Sequence, residues 1–224
     1  MSDPSEVTSP RRRGGAQVVP RPSVIGEGPP PPWATGPVTG LDAVLAHVRD
    51  VERPLVPAFD GARSSAVLVP LRVGVHGTEV LLTRRSQTMR HHRGEISFPG
   101  GRMDPGETPL DTALREAHEE VGLDPDAVRV IGELDHLNTV VSRSYIVPKV
   151  AVVDPAAEVR PMTGELDRTM WVPLDELVAT HTYHGEVWGA PPTDRLLHFF
   201  ELVDETVWGA TGHMLFDLLA RPHR

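Results

Sequence analysis

The chain of 224 residues contains no cysteine, and only 5% of its residues are aromatic. The absence of cysteine excludes disulfides, thiolate metal sites and a cysteine nucleophile. No apolar run approaches the length of a transmembrane helix. The N-terminus contains Asp3 and Glu6 and lacks the apolar core of a secretory signal. We therefore expect a soluble, cytoplasmic protein that makes no membrane contacts.

The chain has fewer basic than acidic residues, 22 lysines and arginines against 31 aspartates and glutamates, which gives a net charge of −9. This balance argues against a general binder of nucleic acid or anionic membranes. An anionic small-molecule substrate would need cations gathered locally around it. The sequence leaves open whether the chain forms a homodimer.

Prolines are concentrated at the N-terminus, where residues 1–38 hold nine of the 23 in the chain. Few apolar residues accompany them, so no core offsets the entropy lost on ordering. The sequence predicts a disordered proline-rich tail over residues 1–38. A single domain follows over residues 39–224.

Within that domain, β-rich segments predict strands, and apolar residues at helical spacing predict helices. The strands are expected at 64–73, 78–84, 128–133, 145–153, 170–173 and 196–203, and the helices at 41–51, 174–179 and 207–219. Residues 181–188, which include His181, His184 and Trp188, are expected to form a polar loop. Strands around a central helix, with further helices at both ends, predict an α+β sandwich of helices around a mixed sheet.

The central segment, residues 101–123, is a glycine loop followed by a helix. Thr108 is a good N-cap, Pro109 suits the first helical position, and Asp111 stands where a capping-box acid would. Gly122 can end the helix in a left-handed conformation.

Three carboxylates, those of Glu116, Glu119 and Glu120, fall in one narrow arc of this helix at ~100° per residue. Like charges on neighbouring turns repel, unless a cation offsets them. Mg²⁺ does so well because it prefers oxygen ligands. Arg115 lies at the edge of the arc and can orient a carboxylate. A solvated acidic face is the plainer interpretation of the same pattern.

The spacing of residues around this helix favours a metal site over a solvated acidic face. Gly101 is followed after five residues by Glu107, and after seven more by the run REAHEEVGL that begins at Arg115. This pattern resembles the box of the Nudix hydrolases at every fixed position. The resemblance implies an α/β/α sandwich with a mixed sheet between helices. It also implies hydrolysis of a nucleoside diphosphate linked to another moiety.

A cationic patch precedes the box and leads directly into its glycine loop. Arginine suits phosphate because its planar fork bonds two oxygens. For Arg84 and Arg93, pairing with the excess acid of the chain is an equally good interpretation. The patch comprises Arg84, Arg85, Arg90, His91, His92 and Arg93.

The stretch LLTRRSQTMRHHRGEISFPGG, residues 81–101, also resembles the motif of coenzyme A diphosphatases within the Nudix family. That resemblance implies coenzyme A or an acyl-coenzyme A as the substrate. The implied substrate contacts are Arg85, Arg90, Gly94, Phe98, Gly100 and Gly101.

The family resemblance further implies Mg²⁺ or Mn²⁺ bound by Glu116 and Glu120, assisted by Glu119 and the Gly100 carbonyl. Arg115, Glu116 and Glu119 form the expected catalytic set. Glu119 is the first choice for the general base, and Glu165 is a candidate from a later loop.

Three supporting expectations complete this interpretation. Glu107 is expected to support the loop and Arg115. Residues 61–65 are a candidate lining for an adenine site. The expected products are 3′,5′-ADP and 4′-phosphopantetheine, formed without a covalent enzyme intermediate.

Two rival functions remain at this point. One is a Nudix enzyme for ADP-ribose, NADH or another nucleotide derivative. The other is a non-catalytic Nudix module that senses a nucleotide, against which the intact Glu116, Glu119 and Glu120 argue.

Overall fold

The structure is a computed structural model that describes residues 14–49, 58–89, 93–139 and 143–224. The described helices are α1 (Leu41–Leu45), α2 (Pro109–Val121), α3 (Leu174–Val178) and α4 (Gly209–Ala220). The described strands are β1 (Ile25–Glu27), β2 (Arg63–Gly74), β3 (Gly77–Arg85), β4 (Ile96–Ser97), β5 (Gly100–Arg102), β6 (Val128–Glu133), β7 (Leu137–Thr139), β8 (Ser144–Val153), β9 (Leu166–Pro173), β10 (Tyr183–Trp188), β11 (Arg195–Glu201) and β12 (Thr206–Val207). No described helix is long and apolar enough to cross a lipid bilayer.

The central sheet has the strand order β4-β3-β2-β8-β6, with β5 beside β2, β7 beside β8 and β9 beside β3. Strands β2 and β8 are parallel, with Leu68 opposite Lys149, and the other pairs are antiparallel. Strand β2 is central because its middle, AVLVPL, offers apolar side chains to both faces of the sheet, as a strand covered on both sides requires.

Helices cover both faces of this sheet. On one face, Ala113, Ala117 and Val121 of α2 pack against Ala66 and Leu68 of β2. On the other, residues of α1, α3 and α4 form a larger core with the alternate residues of the same strands. The α+β class, with a mixed sheet between helices, is confirmed.

A second, antiparallel sheet has the order β1-β10-β11-β12. It includes part of the segment that was expected to be a disordered tail. Ile25 of β1 lies opposite Trp188 of β10, and Trp33 is only 2% exposed, packed against Tyr183. The disorder expectation is therefore corrected for residues 14–38. One large aromatic buries enough apolar surface to hold an otherwise polar, proline-rich segment. Residues 1–13 lie outside the described residues.

Two further expectations differ from the structure. Residues 183–188 form strand β10 rather than a polar loop, because they pair with β11 along their whole length. Helix α1 ends at Leu45, whereas the apolar spacing predicted a helix to residue 51; residues 50–57 lie outside the described residues. The other predicted strands and helices are confirmed to within a few residues, β9 excepted, which begins earlier at Leu166.

Candidate active site

Helix α2 begins and ends as its sequence predicts. The Thr108 hydroxyl accepts a hydrogen bond from the Asp111 amide (3.2 Å), and the Asp111 carboxylate accepts one from the Thr108 amide (2.9 Å). Pro109 is the first helical residue, and Gly122 ends the helix at φ 71°. These local bonds set the start of the helix and hence the rotation at which its carboxylates face the glycine loop.

The glycine loop and α2 meet at two carboxylates. The Gly100 amide donates to Glu120 Oε2 (3.1 Å). A Cβ on Gly100 would lie 2.5 Å from the Ala66 carbonyl oxygen, so β5 can approach β2 only with glycine there. A Cβ on Gly101 would overlap the Glu116 carboxylate. Gly100 therefore allows β5 to approach β2, and Gly101 allows the loop to approach the Glu116 carboxylate.

Arg115 binds three of the acidic residues that the sequence singled out. Its guanidinium donates to Glu107 (Nε–Oε1, 2.6 Å), Glu116 (Nη1–Oε1, 3.0 Å) and Glu119 (Nη1–Oε2, 3.1 Å). Glu107 also accepts from the Thr112 hydroxyl and the Asp104 amide. Led by the Arg115 bond, these donors hold the pKa of Glu107 down to about 2. Glu107 thus stays ionised and fixes Arg115 against the loop.

Glu120 has the opposite electrostatic environment. Burial, together with the neighbouring charge of Glu116, raises the pKa of its carboxyl to about 7, although the Gly100 amide and the charge of Arg85 lower it. A buried carboxylate whose ionisation is this costly gains most from a nearby cation. This donor set suits a hard divalent cation.

The carboxylates of α2 are not arranged as a complete set of metal ligands. Across residues 14–49, 58–89, 93–139 and 143–224, no group of three or more histidine or acidic side chains is arranged to hold a metal ion. At the box, Arg115 engages Glu116 and Glu119. A cation at Glu120 would therefore compete with Arg115 for these two carboxylates.

Adjacent arginines at the end of β3 have different surroundings. Arg84 pairs with Asp167 (2.7 Å) and with the buried Glu205 (2.7 Å). Arg85 donates from Nη2 to Glu165 (3.1 Å) and lies near enough to Glu120 to lower its pKa. Among the described residues, the Arg85 Nε is buried without a hydrogen-bond partner. Arg84 therefore pairs with acidic residues of the chain, as one of its two interpretations expected. Arg85 has an N–H donor close to the carboxylates that could bind a ligand.

The two candidates for the general base are both accessible. The Glu119 side chain is 56% exposed and that of Glu165 is 58% exposed, and each is held by one arginine, Arg115 and Arg85 respectively. The Glu165 carbonyl also accepts from the Ser86 amide (2.7 Å), which ties the loop after β8 to the end of β3.

The remaining predicted substrate contacts divide into three cases. Phe98 is 2% exposed in the main core, so its ring supports the glycine loop and the expected substrate contact is corrected. Gly94 has φ 64° and closes the turn after β3, its amide donating to the Arg85 carbonyl (3.1 Å). Arg90, His91 and His92 lie outside the described residues. Two residues near the turn, Gln17 and Glu205, carried no local signal in the sequence.

A cleft of about 820 Å³ lies beside Glu107. It is lined by residues 61–64, the candidate adenine lining, and by residues 102–107 of the box loop. Arg63 and Arg102 are the cationic residues of its wall.

Comparison with known proteins shows the family of this chain. The family profile of the NUDIX domain matches residues 62–196. The uncharacterized Nudix hydrolase NudL of Photorhabdus laumondii is 35% identical over 161 residues, which are 71% of this chain and 84% of the relative. Nudix hydrolase 3 of Caenorhabditis elegans is 40% identical over 131 residues, which are 55% of this chain and 53% of the relative.

A solved Nudix hydrolase from Alicyclobacillus acidocaldarius matches 74% of this chain and 94% of its own at 22% identity, with a TM-score of 0.48. The family match and the identity to NudL define the class: this chain belongs to the Nudix family and is a Nudix hydrolase. Enzymes of this family generally use divalent metals such as Mg²⁺ or Mn²⁺.

Proposed function

We propose that this Nudix hydrolase cleaves the diphosphate of coenzyme A or acyl-coenzyme A to 3′,5′-ADP and 4′-phosphopantetheine or its acyl form. The observation that carries the proposal is the position of Arg85. Its charge acts on Glu120, and its buried Nε has no hydrogen-bond partner among the described residues. A buried, unsatisfied guanidinium donor next to a carboxylate site suits a phosphate oxygen of a bound substrate.

We propose Glu116 and Glu120 as the ligands of Mg²⁺ or Mn²⁺, with Glu119 and the Gly100 carbonyl assisting. The bound metal supplies charge neutralisation of the diphosphate and activation of water. Arg115 is the positioning residue for Glu116 and Glu119, because it is itself fixed by Glu107. Because the pKa of Glu120 is raised to about 7, a metal ion held there would favour the ionised form of its carboxyl.

The reaction requires one proton acceptor. As water attacks one phosphorus, a P–O bond forms and the bridging P–O bond of the diphosphate breaks. We propose that Glu119 accepts the proton from that water, with Glu165 as the alternative. Both carboxylates are exposed, and each pairs with an arginine that can orient it. Glu119→Gln and Glu165→Gln, compared in kcat, decide between them.

The cleft beside Glu107 is proposed to receive the nucleotide half of the substrate. Arg63 and Arg102 line it, and it adjoins the loop that Glu107 holds. Its position would place the adenine and the diphosphate at opposite ends of the box loop.

The test is metal-dependent hydrolysis of coenzyme A, with 3′-dephospho-coenzyme A, ADP-ribose and NADH in parallel and products identified by mass. We expect coenzyme A to be turned over fastest. Arg85→Ala should remove that preference, and Arg85→Lys should restore it only in part because lysine lacks the planar fork. The matched control is Arg93→Ala, since Arg93 is exposed and donates to the Met89 carbonyl of the same turn.

Faster turnover of ADP-ribose or NADH would contradict coenzyme A as the preferred substrate, although the protein would still act as a Nudix hydrolase. Binding of these nucleotides without any hydrolysis, in the presence of Mg²⁺ or Mn²⁺, would instead favour a nucleotide-sensing module.

A further inference from the structure

Glu205 is a nearly fully buried carboxylate that joins four parts of the chain. Its side chain is 2% exposed and accepts hydrogen bonds from Arg84 on β3 (2.7 Å), Arg168 on β9 (3.1 Å) and Gln17 of the N-terminal segment (3.1 Å). Glu205 and Gln17 both lie outside the residues matched by the family profile, 62–196.

Gln17 connects this carboxylate to the turn that follows β3. Its Nε2 donates to the Gly94 carbonyl (2.9 Å) as well as to Glu205, and its Oε1 accepts from the Thr206 amide (3.3 Å). Gly94 in turn donates to the Arg85 carbonyl (3.1 Å), and the Arg85 amide donates to the Glu95 carbonyl (2.9 Å). One glutamine side chain thus reaches the backbone that carries Arg85.

Two backbone contacts keep Gln17 in place. The Gly14 amide donates to the Leu202 carbonyl (2.8 Å), and the Gly15 amide donates to the Thr206 hydroxyl (2.9 Å). The N-terminal segment is thereby fixed to the short loop that presents Glu205. Gln17 and Glu205 approach the end of β3 together, Gln17 through Gly94 and Glu205 through Arg84.

The position of Arg85 depends on these contacts because the strand register shifts between Arg84 and Arg85 where β3 pairs with β9. Such an irregularity re-aims the side chain that follows it, so the contacts on either side of the shift help to set the direction of Arg85. Glu205 holds Arg84 on one side of the shift, and Gln17 holds Gly94 on the other. Arg85 lies between these two anchors.

We propose that Gln17 and Glu205 are positioning residues that orient Arg85 for the substrate, so that the N-terminal segment contributes to substrate recognition. This inference rests on the proposed function of Arg85. Neither residue touches the carboxylates of α2, so their loss is expected to act on substrate affinity more than on the chemical step.

The test compares two alanine variants within the same N-terminal segment. Gln17→Ala removes the contacts to Gly94 and Glu205. The matched control, Arg21→Ala, removes a salt bridge to Glu186 (2.9 Å) and a contact over the Phe199 ring, both on the second sheet. For Gln17→Ala we expect KM for coenzyme A to rise about 3- to 10-fold with kcat within about twofold, the size expected for losing hydrogen bonds of ordinary strength. Arg21→Ala should leave both constants unchanged.

Hydrogen–deuterium exchange gives a readout that does not depend on the substrate. In Gln17→Ala, the amides of Arg85 and Gly94 should exchange faster than in wild type, while those of β10 stay protected. Glu205→Gln, which keeps the shape and removes the charge, should show the same pattern with a larger effect, since Arg84 and Arg168 lose their shared partner.

Unchanged exchange at Arg85 and Gly94 in Gln17→Ala would overturn the inference, as would faster exchange with an unaltered KM. A fall in kcat with KM unchanged would also overturn it. If wild type hydrolyses none of the nucleotides, the proposed function fails by itself, and the exchange data still decide whether Gln17 holds this turn.

Discussion

The two faces of the central sheet use polar groups in opposite ways. On the α2 face, Glu116 and Glu119 are held by one arginine and remain partly exposed, and Glu120 has a pKa near neutrality. On the other side, where α4 packs against β11 of the second sheet, His198 is 4% exposed, stacks on Phe216 and has a pKa lowered to about 4. One side keeps charges available for a ligand, whereas the other keeps the His198 ring neutral within an aromatic core. Chemistry and stability should therefore respond to different substitutions.

The largest effect is expected on the α2 face. Glu116→Gln and Glu120→Gln should each lower kcat at least about 100-fold, because each removes a proposed metal ligand and its charge stabilisation. Thermal stability should stay close to that of wild type, since neither side chain belongs to the apolar core. Steady-state kinetics with Mg²⁺, beside a melting curve, measure both. The control is Glu158→Gln, which changes an exposed carboxylate beyond the end of α2. Near-normal turnover of both Glu116→Gln and Glu120→Gln would contradict the proposed metal ligands.

On the opposite face, Trp33→Ala should lower the free energy of unfolding by about 3–5 kcal/mol, as for a large aromatic lost from a packed core. Trp33 is 2% exposed, with ring centroids 5.1 Å from Tyr183 and 5.5 Å from Phe216. Urea unfolding gives the stability, and turnover per folded molecule should be unchanged. Val18→Ala, at a 90% exposed position of the same segment, should be neutral. A loss below about 1 kcal/mol for Trp33→Ala would mean that the N-terminal segment is not part of the core.

A buried histidine on the same side should make the free energy of unfolding depend on pH. Burial, and then the charge of His213, lowers the pKa of His198 to about 4, whereas an unfolded histidine titrates near 6.5. The unfolded chain therefore binds the proton more readily, so stability is complete above about pH 6.5 and is lost as the pH falls toward 4. At about pH 5 the loss amounts to about 2 kcal/mol.

Urea unfolding near neutral pH and at about pH 5 measures this loss. In His198→Gln, which removes the titrating ring, the difference between the two pH values should shrink by about that amount. The exposed His76→Gln should retain the wild-type difference. Equal pH dependence in wild type and His198→Gln would show that the acid sensitivity of the fold arises elsewhere. The groups nearest to His198 in this test are Tyr183, which hydrogen-bonds its Nδ1 (2.9 Å), and His213.

The smallest effect is expected from adding one methyl group next to a carboxylate of α2. Gly101→Ala places a Cβ where the Glu116 carboxylate lies, so the carboxylate must move. We expect kcat to fall about tenfold, since a displacement of this size misplaces a reacting group, with little change in melting temperature. Gly40→Ala, which meets no atom within 4 Å and has φ −63°, is the control. Full activity in Gly101→Ala would mean that Glu116 can act from more than one position.

Much of the fold and of the site could be predicted from the sequence because the relevant interactions are local. Helix α2 begins at the capping box formed by Thr108 and Asp111 and ends at a glycine, and both were confirmed. The spacing of Arg115, Glu116, Glu119 and Glu120 follows from the helical repeat. The main strands were recognisable because β-branched runs between glycines have few alternatives.

The tertiary structure decided the features that depend on distant partners. Residues 183–188 pair with β11, and a polar alternating sequence cannot show by itself that a partner strand exists. Trp33 orders a proline-rich segment only because Tyr183 and Phe200 are there to receive it.

The end of β3 shows the division most clearly. The sequence by itself determined that two adjacent arginines precede the glycine loop, and it assigned the phosphate chemistry to Arg85 through the motif. Only the tertiary structure decided that Arg84 pairs with Glu205, a residue 121 positions away, while Arg85 faces Glu120. A register shift separates Arg84 from Arg85 where β3 pairs with β9, and what each side chain meets is set by long-range packing rather than by the residues alongside.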